Sequence, residues 1–529
     1  MPDKKVVTRF APSPTGFMHV GGVRTALYAW LFAKKNNGQF ILRIEDTDKE
    51  REVEGSIEHI QKSLKWLGLN WGQGPDIGGP HAPYIQSERL ELYKKYAKTL
   101  IEKNLAYADP YTEEEVQKWR EEAEANKKPF LYREHRPAYA KASAGKPENP
   151  PVWDGTQPLR FKIPEIKSYK WNDVVWGELS AGPEALDDFI LIKSDGYPTY
   201  NFAHVVDDIE MKVTHVVRGQ EFISSTPKFL SLYEALNVAP PLFVTTPPIM
   251  GANGKKKLSK RDGAKDILDY EKEGYLPETM INYLAFLGFN PGGEKEVYTP
   301  EELIEVFDLN KIQRSGAQWS DDKLNWLNKE HMKKLTDSEF IEKAKLFIDL
   351  EIQTIKKLSE PELNNLLFQF RGRITKFGDL NGLIQGSINT TNSSAISAST
   401  EYLTNSSSSR EKTVIVSGPS DYLLSSRDPI ISDVKLLIPK DLKNDEVVLC
   451  LRNVKDLIEK NNWEKIIEKN EENDLWVYAG KEGRGKVLWP LRVALSGEQK
   501  SPDPFEIMKV IGKDAVLRRI DNAIFTLDK

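Results

Sequence analysis

The amino-terminal part of the chain alternates two extended segments with two amphipathic ones, and this order strongly restricts the possible folds. Residues 6–10 form a β-branched and apolar run, the turn-rich stretch 11–16 follows, and apolar residues then recur with helical spacing up to Asn36. Residues 40–44 repeat the strand pattern and residues 57–68 the helical one. A strand–helix–strand–helix order predicts a parallel, right-handed α/β unit that binds ligands at the carboxyl ends of its strands.

Two loops carry residues suited to phosphate chemistry. At the start of the first helix, His19-Val20-Gly21-Gly22 combines an imidazole with glycines that let backbone N–H groups approach an anion. Far along the chain, the basic run 255–261 lies among Gly251, Gly254 and Gly263. Cations on such a loop suit a polyphosphate whose charge must be neutralised as it leaves. Each motif alone is more typical of an ordinary helix start or a solvated loop, whereas the pair indicates nucleotidyl transfer.

Composition and charge limit the classes of partner. The 529 residues include 74 Lys and Arg against 79 Asp and Glu, a net charge of −5, so any contact with nucleic acid requires a local basic surface. The one cysteine, Cys450, can form no internal disulfide and fits a reducing compartment. No apolar signal segment is seen, and the apolar run 26–33 is far shorter than the ~20 residues of a membrane span. We therefore expect a cytoplasmic protein without a membrane partner.

Later segments differ in their patterns. After a charged helix predicted from the capping box at Thr112, strand patterns recur at 159–163, 169–176, 189–192, 200–206 and 213–217. Past about residue 240 helix signals dominate, with capping boxes at Thr336 and Ser359. Residues 388–409 are rich in Ser, Thr and Asn, which predicts a flexible loop between two helical subdomains.

Longer motifs connect these features to one family. Residues 9–16 read Arg-Phe-Ala-Pro-Ser-Pro-Thr-Gly and precede His19-Val20-Gly21-Gly22, while residues 257–261 read Lys-Leu-Ser-Lys-Arg. Further motifs follow in order at 43–48, 198–202, 205–208 and 215–219, and another lies at 485–492. With these motifs the chain resembles the bacterial glutamyl-tRNA synthetases, which are class I aminoacyl-tRNA synthetases. The resemblance implies an ATP-dependent ligase that forms glutamyl-adenylate and then transfers glutamate to the 3′-terminal adenosine of tRNA.

The resemblance also implies site residues. The catalytic residues would be His19, Lys257 and Lys260. The glutamate pocket would contain Arg9, Ala11, Ser13, Glu45, Tyr200 and Arg218. The ATP contacts would be Thr15, Gly16, His19, Gly21, Gly22, Glu221, Lys257, Ser259 and Lys260. Arg218 is our choice for side-chain selectivity, because a guanidinium fork pairs with a carboxylate and fits neutral glutamine less well.

The implied architecture is a Rossmann-like α/β catalytic domain with an inserted α+β domain, followed by mainly α-helical anticodon-binding domains. The catalytic domain would occupy 1–95 and 196–240, the inserted acceptor-binding domain 96–195, and a stem-contact region with the basic ATP loop 241–330. Two helical anticodon-binding subdomains, 331–387 and 413–529, would flank the Ser/Thr/Asn-rich loop 388–412. Candidate tRNA contacts are Arg371 and Arg373 first, because we place them on a helix of the anticodon-binding region, then Lys127, Lys128, Lys376, Arg518 and Arg519.

The resemblance implies a monomeric enzyme that binds glutamate, ATP with its Mg²⁺, and tRNA(Glu). Whether tRNA(Gln) is a second acceptor stays open. Some family members carry a zinc-binding cysteine cluster in the inserted domain, but residues 107–111 contain no cysteine, so we expect no zinc. Gln220 stands where we expect an acid, and His204 occupies a variable position. Either residue would change the electrostatics of the pocket.

Three alternatives fit the sequence less well. A glutaminyl-tRNA synthetase is opposed by the motif 11–16 and by the helical carboxyl half. A shortened relative that modifies a tRNA base is opposed by the approximately 200 residues after Asp322. A non-catalytic RNA-binding paralogue would be expected to have lost His19 or the basic loop, and both are intact.

Overall fold

The computed structural model describes residues 5–141, 152–254, 256–258, 265–350, 352–356, 358–384, 434–439, 442–498 and 501–528. The chain divides into two compact units, Met1–Leu335 and Thr336–Lys529. The first unit combines β-sheets with helices, and the regular elements described in the second are helical. The predicted fold class is confirmed. The predicted Ser/Thr/Asn-rich loop 388–412 lies outside the described residues.

The first unit contains all of the described strands and the following helices. The strands are β1 (Val7–Phe10), β2 (Gln39–Leu42), β3 (Ala106–Ala108), β4 (Leu159–Phe161), β5 (Tyr169–Asp173), β6 (Gly177–Ala181), β7 (Ile190–Ile192), β8 (His215–Gly219), β9 (Leu242–Thr246), β10 (Ile249–Met250) and β11 (Ala317–Gln318). The helices are α1 (Val20–Lys35), α2 (Ser56–Trp66), α3 (Leu90–Glu102), α4 (Glu113–Ala125), α5 (Ala138–Lys141), α6 (Tyr200–Glu210), α7 (Thr226–Leu236), α8 (Ile267–Lys272), α9 (Pro277–Phe286), α10 (Pro300–Val306) and α11 (Asp321–Lys334).

The main sheet has the strand order β2-β1-β8-β9-β5-β6. Neighbours from β2 to β5 are parallel, and β6 adds an antiparallel edge to β5. The parallel pairing of β1 with β2 confirms the order predicted from the amino-terminal pattern. Because β8 pairs directly with β1, the carboxyl ends of β1, β2 and β8 meet at one edge of the sheet.

Helix α1 fixes this edge because it packs one apolar stripe on the sheet. Val23, Leu27 and Leu31 recur with helical spacing and are fully buried, and the last turn carries Lys34 and Lys35. The helix contacts β1, β8 and α9, so its first residues lie at the carboxyl edge of the sheet. A separate antiparallel sheet, β3-β4-β7, forms within the inserted segment.

One predicted strand is wrong. Residues 200–206 belong to α6, which begins after Thr199 and places Phe202, Val205 and Val206 in the core. The capping boxes at Thr112, Thr336 and Ser359 are all present.

The second unit packs helices around its own core. Its helices are α12 (Asp337–Lys345), α13 (Gln353–Lys356), α14 (Glu360–Phe370), α15 (Asn444–Lys460), α16 (Trp463–Ile466), α17 (Asp474–Glu482), α18 (Arg484–Ser496), α19 (Pro504–Ile511) and α20 (Lys513–Leu527). Leu451 of α15, Leu491 of α18 and Ile520 of α20 belong to one buried cluster. No described helix of either unit has the length and apolarity to cross a membrane.

Candidate active site

The loop between β1 and α1, residues 11–18, lies beside the segment that follows β2. The N–H groups of Arg43 and Glu45 donate to the carbonyl oxygens of Phe10 and Pro12, each at 3.0 Å. These bonds extend the pairing of β1 with β2 beyond the strand ends. They place Ala11 next to Glu45 at the carboxyl edge, while Ser13 and Thr15 remain exposed on the same loop.

His19 ends this loop as the N-cap of α1. Its Nδ1 accepts a hydrogen bond from the N–H of Gly21 at 3.1 Å. A Cβ atom at position 21 would lie 2.9 Å from His19 Cε1, so a side chain there would displace the imidazole. Gly16 also has a structural requirement, since its φ of 149° is rarely adopted by other residues. Local geometry therefore accounts for His19, Gly16 and Gly21 among the predicted ATP contacts.

Behind the edge, buried charges form a network that the sequence motifs did not reveal. Arg9 Nε lies 3.1 Å from Asp208 Oδ1, and Arg43 Nη1 approaches the same oxygen at 2.8 Å. Arg43 also pairs with Glu45 Oε1 at 2.9 Å. Burial alone would raise the pKa of Asp208, but Arg9 and Arg43 hold it below its ordinary value. Arg9 is thus held by Asp208, a residue for which the sequence suggested no role.

Asp207 anchors the second half of the network. Its carboxylate accepts hydrogen bonds from Arg89 Nε and Gln86 Nε2 at 2.8 Å and from Tyr93 Oη at 2.9 Å. Asp207 is fully buried. The sequence signal for this network was the pair Asp207-Asp208 directly after the apolar residues Val205 and Val206, because carboxylates that become buried must be paired.

Arg218, at the end of β8, differs from Arg9, Arg43 and Arg89 in its partners. Its Nη2 donates to the hydroxyl of Thr226 at 2.5 Å, and its guanidinium carbon lies 4.2 Å from the centre of the Phe243 ring. Its Nε is buried without a hydrogen-bond partner, and no carboxylate among the described residues forms an ion pair with it. Burial lowers the pKa of Arg218 to about 10, so the guanidinium keeps its charge at neutral pH.

Tyr200 and His204 form an aromatic wall beside these charges. Their rings stack with centres 4.6 Å apart, and His204 Nδ1 lies 2.7 Å from the carbonyl oxygen of Tyr200. Burial lowers the pKa of His204 to about 3, so its ring is neutral at physiological pH. Burial raises the pKa of Tyr200, and the charge of Glu45 raises it further, whereas the charges of Arg9 and Arg218 act in the opposite direction. The structure therefore brings Arg9, Glu45, Tyr200 and Arg218 together, whereas Gln220 is exposed.

The basic loop is described only in part. Lys257 forms an isolated bridge with Met250 at the end of β10, and its Nζ lies 3.4 Å from Glu221 Oε2. Both side chains are more than half exposed, so this pair contributes little to stability. Ser259 and Lys260 lie outside the described residues. The chain is described again from Lys265, just before α8.

The inserted segment is held by hydrogen bonds around the cysteine-free region 107–111. Tyr107 Oη donates to Asp188 Oδ2 at 2.9 Å, and Arg160 Nη2 lies 2.7 Å from Asp109 Oδ2. Arg136 contacts both oxygens of Asp188 at 2.6 Å. Over the residues that the structure describes, no group of three or more His, Cys, Asp or Glu side chains could hold a metal ion. The expected absence of zinc remains a prediction.

The predicted tRNA contacts of the second unit are not equivalent. Arg371 and Arg373 do not lie on a helix as expected, since α14 ends at Phe370 and Arg371 is its C-cap. Arg371 pairs with Asp337 at 2.7 Å, whereas the Arg373 side chain is exposed. Arg519 is wrong as a surface contact, because it is buried and donates to the carbonyl oxygen of Leu495 at 2.8 Å.

Comparisons with known proteins identify two families and close sequence relatives. The catalytic domain family of class I tRNA synthetases (E and Q) matches residues 5–326, and an anticodon binding domain family matches residues 419–524. A glutamate–tRNA ligase of Clostridium acetobutylicum is 40% identical over 540 aligned residues and is covered, like this chain, to 100%. One from Clostridium botulinum is 40% identical over 524 residues, which cover 98% of this chain and 97% of the relative.

A solved structure is similar over its whole length. It is the crystal structure of a glutamate tRNA ligase from Elizabethkingia meningosepticum in complex with its amino acid. The TM-score is 0.70 at 33% sequence identity, with 99% of this chain and 100% of that chain covered.

Proposed function

The chain belongs to the glutamate–tRNA ligases of the class I tRNA synthetases, and from this membership we propose which of its residues carry out each step. The overall reaction is the ATP-dependent joining of glutamate to tRNA. It proceeds through glutamyl-adenylate and needs no nucleophilic side chain of the protein. The protein must bind three reactants, align them and neutralise the charge of the phosphates.

Arg218 binds the side-chain carboxylate of glutamate, and this assignment is supported by one observation above all. Arg218 is buried yet has no ion pair with a carboxylate in the described part of the chain, whereas Arg9, Arg43 and Arg89 each have one. A buried cation with only a hydroxyl partner is suited to an anionic ligand. Thr226 fixes one nitrogen of the fork and leaves its remaining donors for the substrate.

The α-amino end of glutamate lies toward the loop 11–18. Both hydrogen bonds between Arg43 and Glu45 end on Oε1, so Oε2 is the atom that receives the substrate ammonium. Arg9, held in place by Asp208, contributes positive charge near the substrate carboxylates, and Tyr200 closes the pocket beside it. The Ala11 backbone and the exposed hydroxyl of Ser13 complete the set.

In the first step an oxygen of the α-carboxylate of glutamate forms a bond to the α-phosphorus of ATP. The bond from that phosphorus to the oxygen bridging to the β-phosphorus breaks, and pyrophosphate leaves with the electron pair. The phosphates are bound at the amino terminus of α1, where His19 presents its imidazole and Gly22 its backbone N–H, while Gly21, whose N–H donates to His19 Nδ1, leaves room for the imidazole. Thr15 and Gly16 approach from the loop 11–18.

We also assign to the ATP site Glu221 and the basic-loop residues Lys257, Ser259 and Lys260. The lysines would stabilise the charge that develops on the leaving pyrophosphate. Mg²⁺ bound to ATP would neutralise part of the same charge.

In the second step a ribose hydroxyl of the terminal adenosine of tRNA attacks the activated carbonyl carbon. The bond between that carbon and the phosphate oxygen breaks, AMP leaves, and the ester to tRNA forms. We propose tRNA(Glu) as the acceptor, with tRNA(Gln) as the second acceptor to be tested, and a monomeric enzyme. Arg373 is the stronger of the two leading candidates for a tRNA contact, because its side chain is exposed.

The proposal is tested by aminoacylation of each of the two tRNAs with glutamate and with glutamine, using the purified full-length chain. We expect glutamate to be attached and glutamine essentially not, since a neutral amide leaves Arg218 unpaired at a cost of about 1–3 kcal/mol or more. Equal charging with both amino acids would contradict the assignment of Arg218. Sedimentation of the same preparation would test the monomer.

A further inference from the structure

His59 of α2 lies where two parts of the ATP site meet. Its ring stacks on Phe17 with centres 4.6 Å apart and planes inclined by 22°. Its Nδ1 lies 3.4 Å from the backbone nitrogen of Met18, which donates to it. Its Nε2 lies 2.8 Å from Asp266 Oδ2. One side chain thus contacts the loop just before His19 and the segment just before α8.

Asp266 is itself tied to the same loop. Its carboxylate accepts a hydrogen bond from the N–H of Leu268 at 2.9 Å and so caps α8. Its backbone forms a bridge with His19, and the N–H of Ile267 donates to the carbonyl oxygen of Met18 at 3.0 Å. Asp266 lies five residues after the end of the basic run 255–261.

The two ring nitrogens of His59 face different segments. Nδ1 accepts a hydrogen bond from the Met18 N–H, and the hydroxyl of Ser63 lies 3.3 Å from the same Nδ1. Nε2 lies 2.8 Å from Asp266 Oδ2, but this contact lacks the alignment of a hydrogen bond.

We propose that His59 is a positioning residue for the attack on the α-phosphate of a nucleoside triphosphate. By holding Phe17 and Met18 against Asp266, it sets the distance between His19 and the segment 265–267 that follows the basic loop. His59 itself touches no substrate. The inference rests on the proposed ATP site and adds a residue to it that neither of the two signature motifs contains.

The test compares His59→Ala, Asp266→Asn and the double variant in the full-length chain. Asp266→Asn removes the charge but keeps the helix cap, because asparagine is an equally good N-cap. Glu58→Ala is the matched control, since Glu58 is the exposed neighbour of His59 on the same helix. The assay is glutamate-dependent exchange of pyrophosphate into ATP at saturating tRNA, with kcat and the KM for ATP and for glutamate measured separately.

We expect each single variant to lower kcat about ten- to hundredfold, because a small misplacement of a reacting group has an effect of this size. The KM for glutamate and the midpoint of thermal unfolding should stay near the wild-type values. The double variant should lose no more than the worse single variant, since both changes remove the same contact. His59→Gln, which keeps a hydrogen-bonding side chain, should recover part of kcat and replaces His59→Ala if that variant does not fold.

Wild-type kcat in His59→Ala and Asp266→Asn would overturn the inference, as would losses that multiply in the double variant. A fall in kcat with an equally large rise in the KM for glutamate, or with a parallel fall of the unfolding midpoint, would show a purely structural role for His59. Either result would overturn the inference as well. A wild-type chain without exchange activity would overturn the proposed function, and this inference with it.

Discussion

Replacing Arg218 with methionine should remove selectivity for glutamate without disturbing the fold. Methionine keeps an unbranched side chain among Phe243, Phe229 and Thr226, while it removes the charge and all five N–H donors. Truncating one partner of a buried charge pair costs about 2–5 kcal/mol. At 1.36 kcal/mol per power of ten, kcat/KM for glutamate should fall by about 30-fold to 5,000-fold.

The same substitution should affect glutamine far less, because the glutamine amide does not pair with the guanidinium as an ion. The quantity to measure is therefore the ratio of kcat/KM for glutamate to that for glutamine, determined by aminoacylation of the same tRNA. Arg452→Ala is the matched control, since this arginine is 61% exposed and pairs only at the surface of the second unit. The ratio should collapse in Arg218→Met and remain unchanged in Arg452→Ala.

Stability gives an independent readout. Burial disfavours the charge of Arg218 and lowers its pKa to about 10. Without glutamate, the midpoint of thermal unfolding of Arg218→Met should therefore equal or exceed that of the wild type. Equal losses for glutamate and glutamine, or a loss of glutamate activity that follows a lower midpoint, would refute the assignment of the substrate carboxylate to Arg218.

Further predictions concern other parts of the chain. His19→Ala and Lys257→Ala should each lower kcat for adenylate formation by about two to three powers of ten while leaving the fold intact, and Lys260→Ala should do the same; an unchanged rate of pyrophosphate release would place the phosphate site elsewhere. A chain ending at Leu335 should keep the adenylation pocket but charge tRNA poorly, and its tRNA affinity should depend less on salt. Burial lowers the pKa of His331 to about 4, so its contribution to stability is present above the unfolded value of about 6.5 and is lost as the pH falls toward 4. Urea unfolding over this range should show the wild type losing about 1.4 kcal/mol per pH unit more than His331→Gln. Metal analysis of the wild type should find no stoichiometric zinc.

The elements at the amino terminus could be predicted because their patterns are local. Strand β1, the turn-rich loop and α1 follow from periodicity and turn residues within a short stretch of sequence. Helix α6 could not be predicted in this way, because Tyr200, Val205 and Val206 favour strands by propensity, and burial against the sheet overrides that preference. The signal that could have found it was Thr199, because threonine is a preferred N-cap residue just before an apolar run of helical spacing.

For the candidate site, too, the sequence predicts what depends on nearby residues and not what depends on distant ones. Its motif positions could be chosen from sequence, since residue types at loop and strand ends indicate phosphate and carboxylate binding. The partners of those residues could not, because the pair of Arg9 with Asp208 joins positions 199 residues apart. Exposure was equally hidden: Arg518 and Arg519 are adjacent in sequence, and yet Arg519 is buried against α18.

The distance between Arg9 and Asp208 also bears on how the protein is made. At about 5–20 residues per second, ribosomes need about 10–40 s to synthesise the 199 residues that separate them. During that interval the nascent chain contains β1, α1 and β2 but not the acids of α6 that neutralise Arg9 and Arg43. Burying the two arginines early would leave Arg9 without a counterion and Arg43 with only Glu45, which opposes a premature collapse of the first strands. Closure of the sheet therefore waits for Asp207 and Asp208, and for β8 to pair beside β1, well after β1 and β2 have been made.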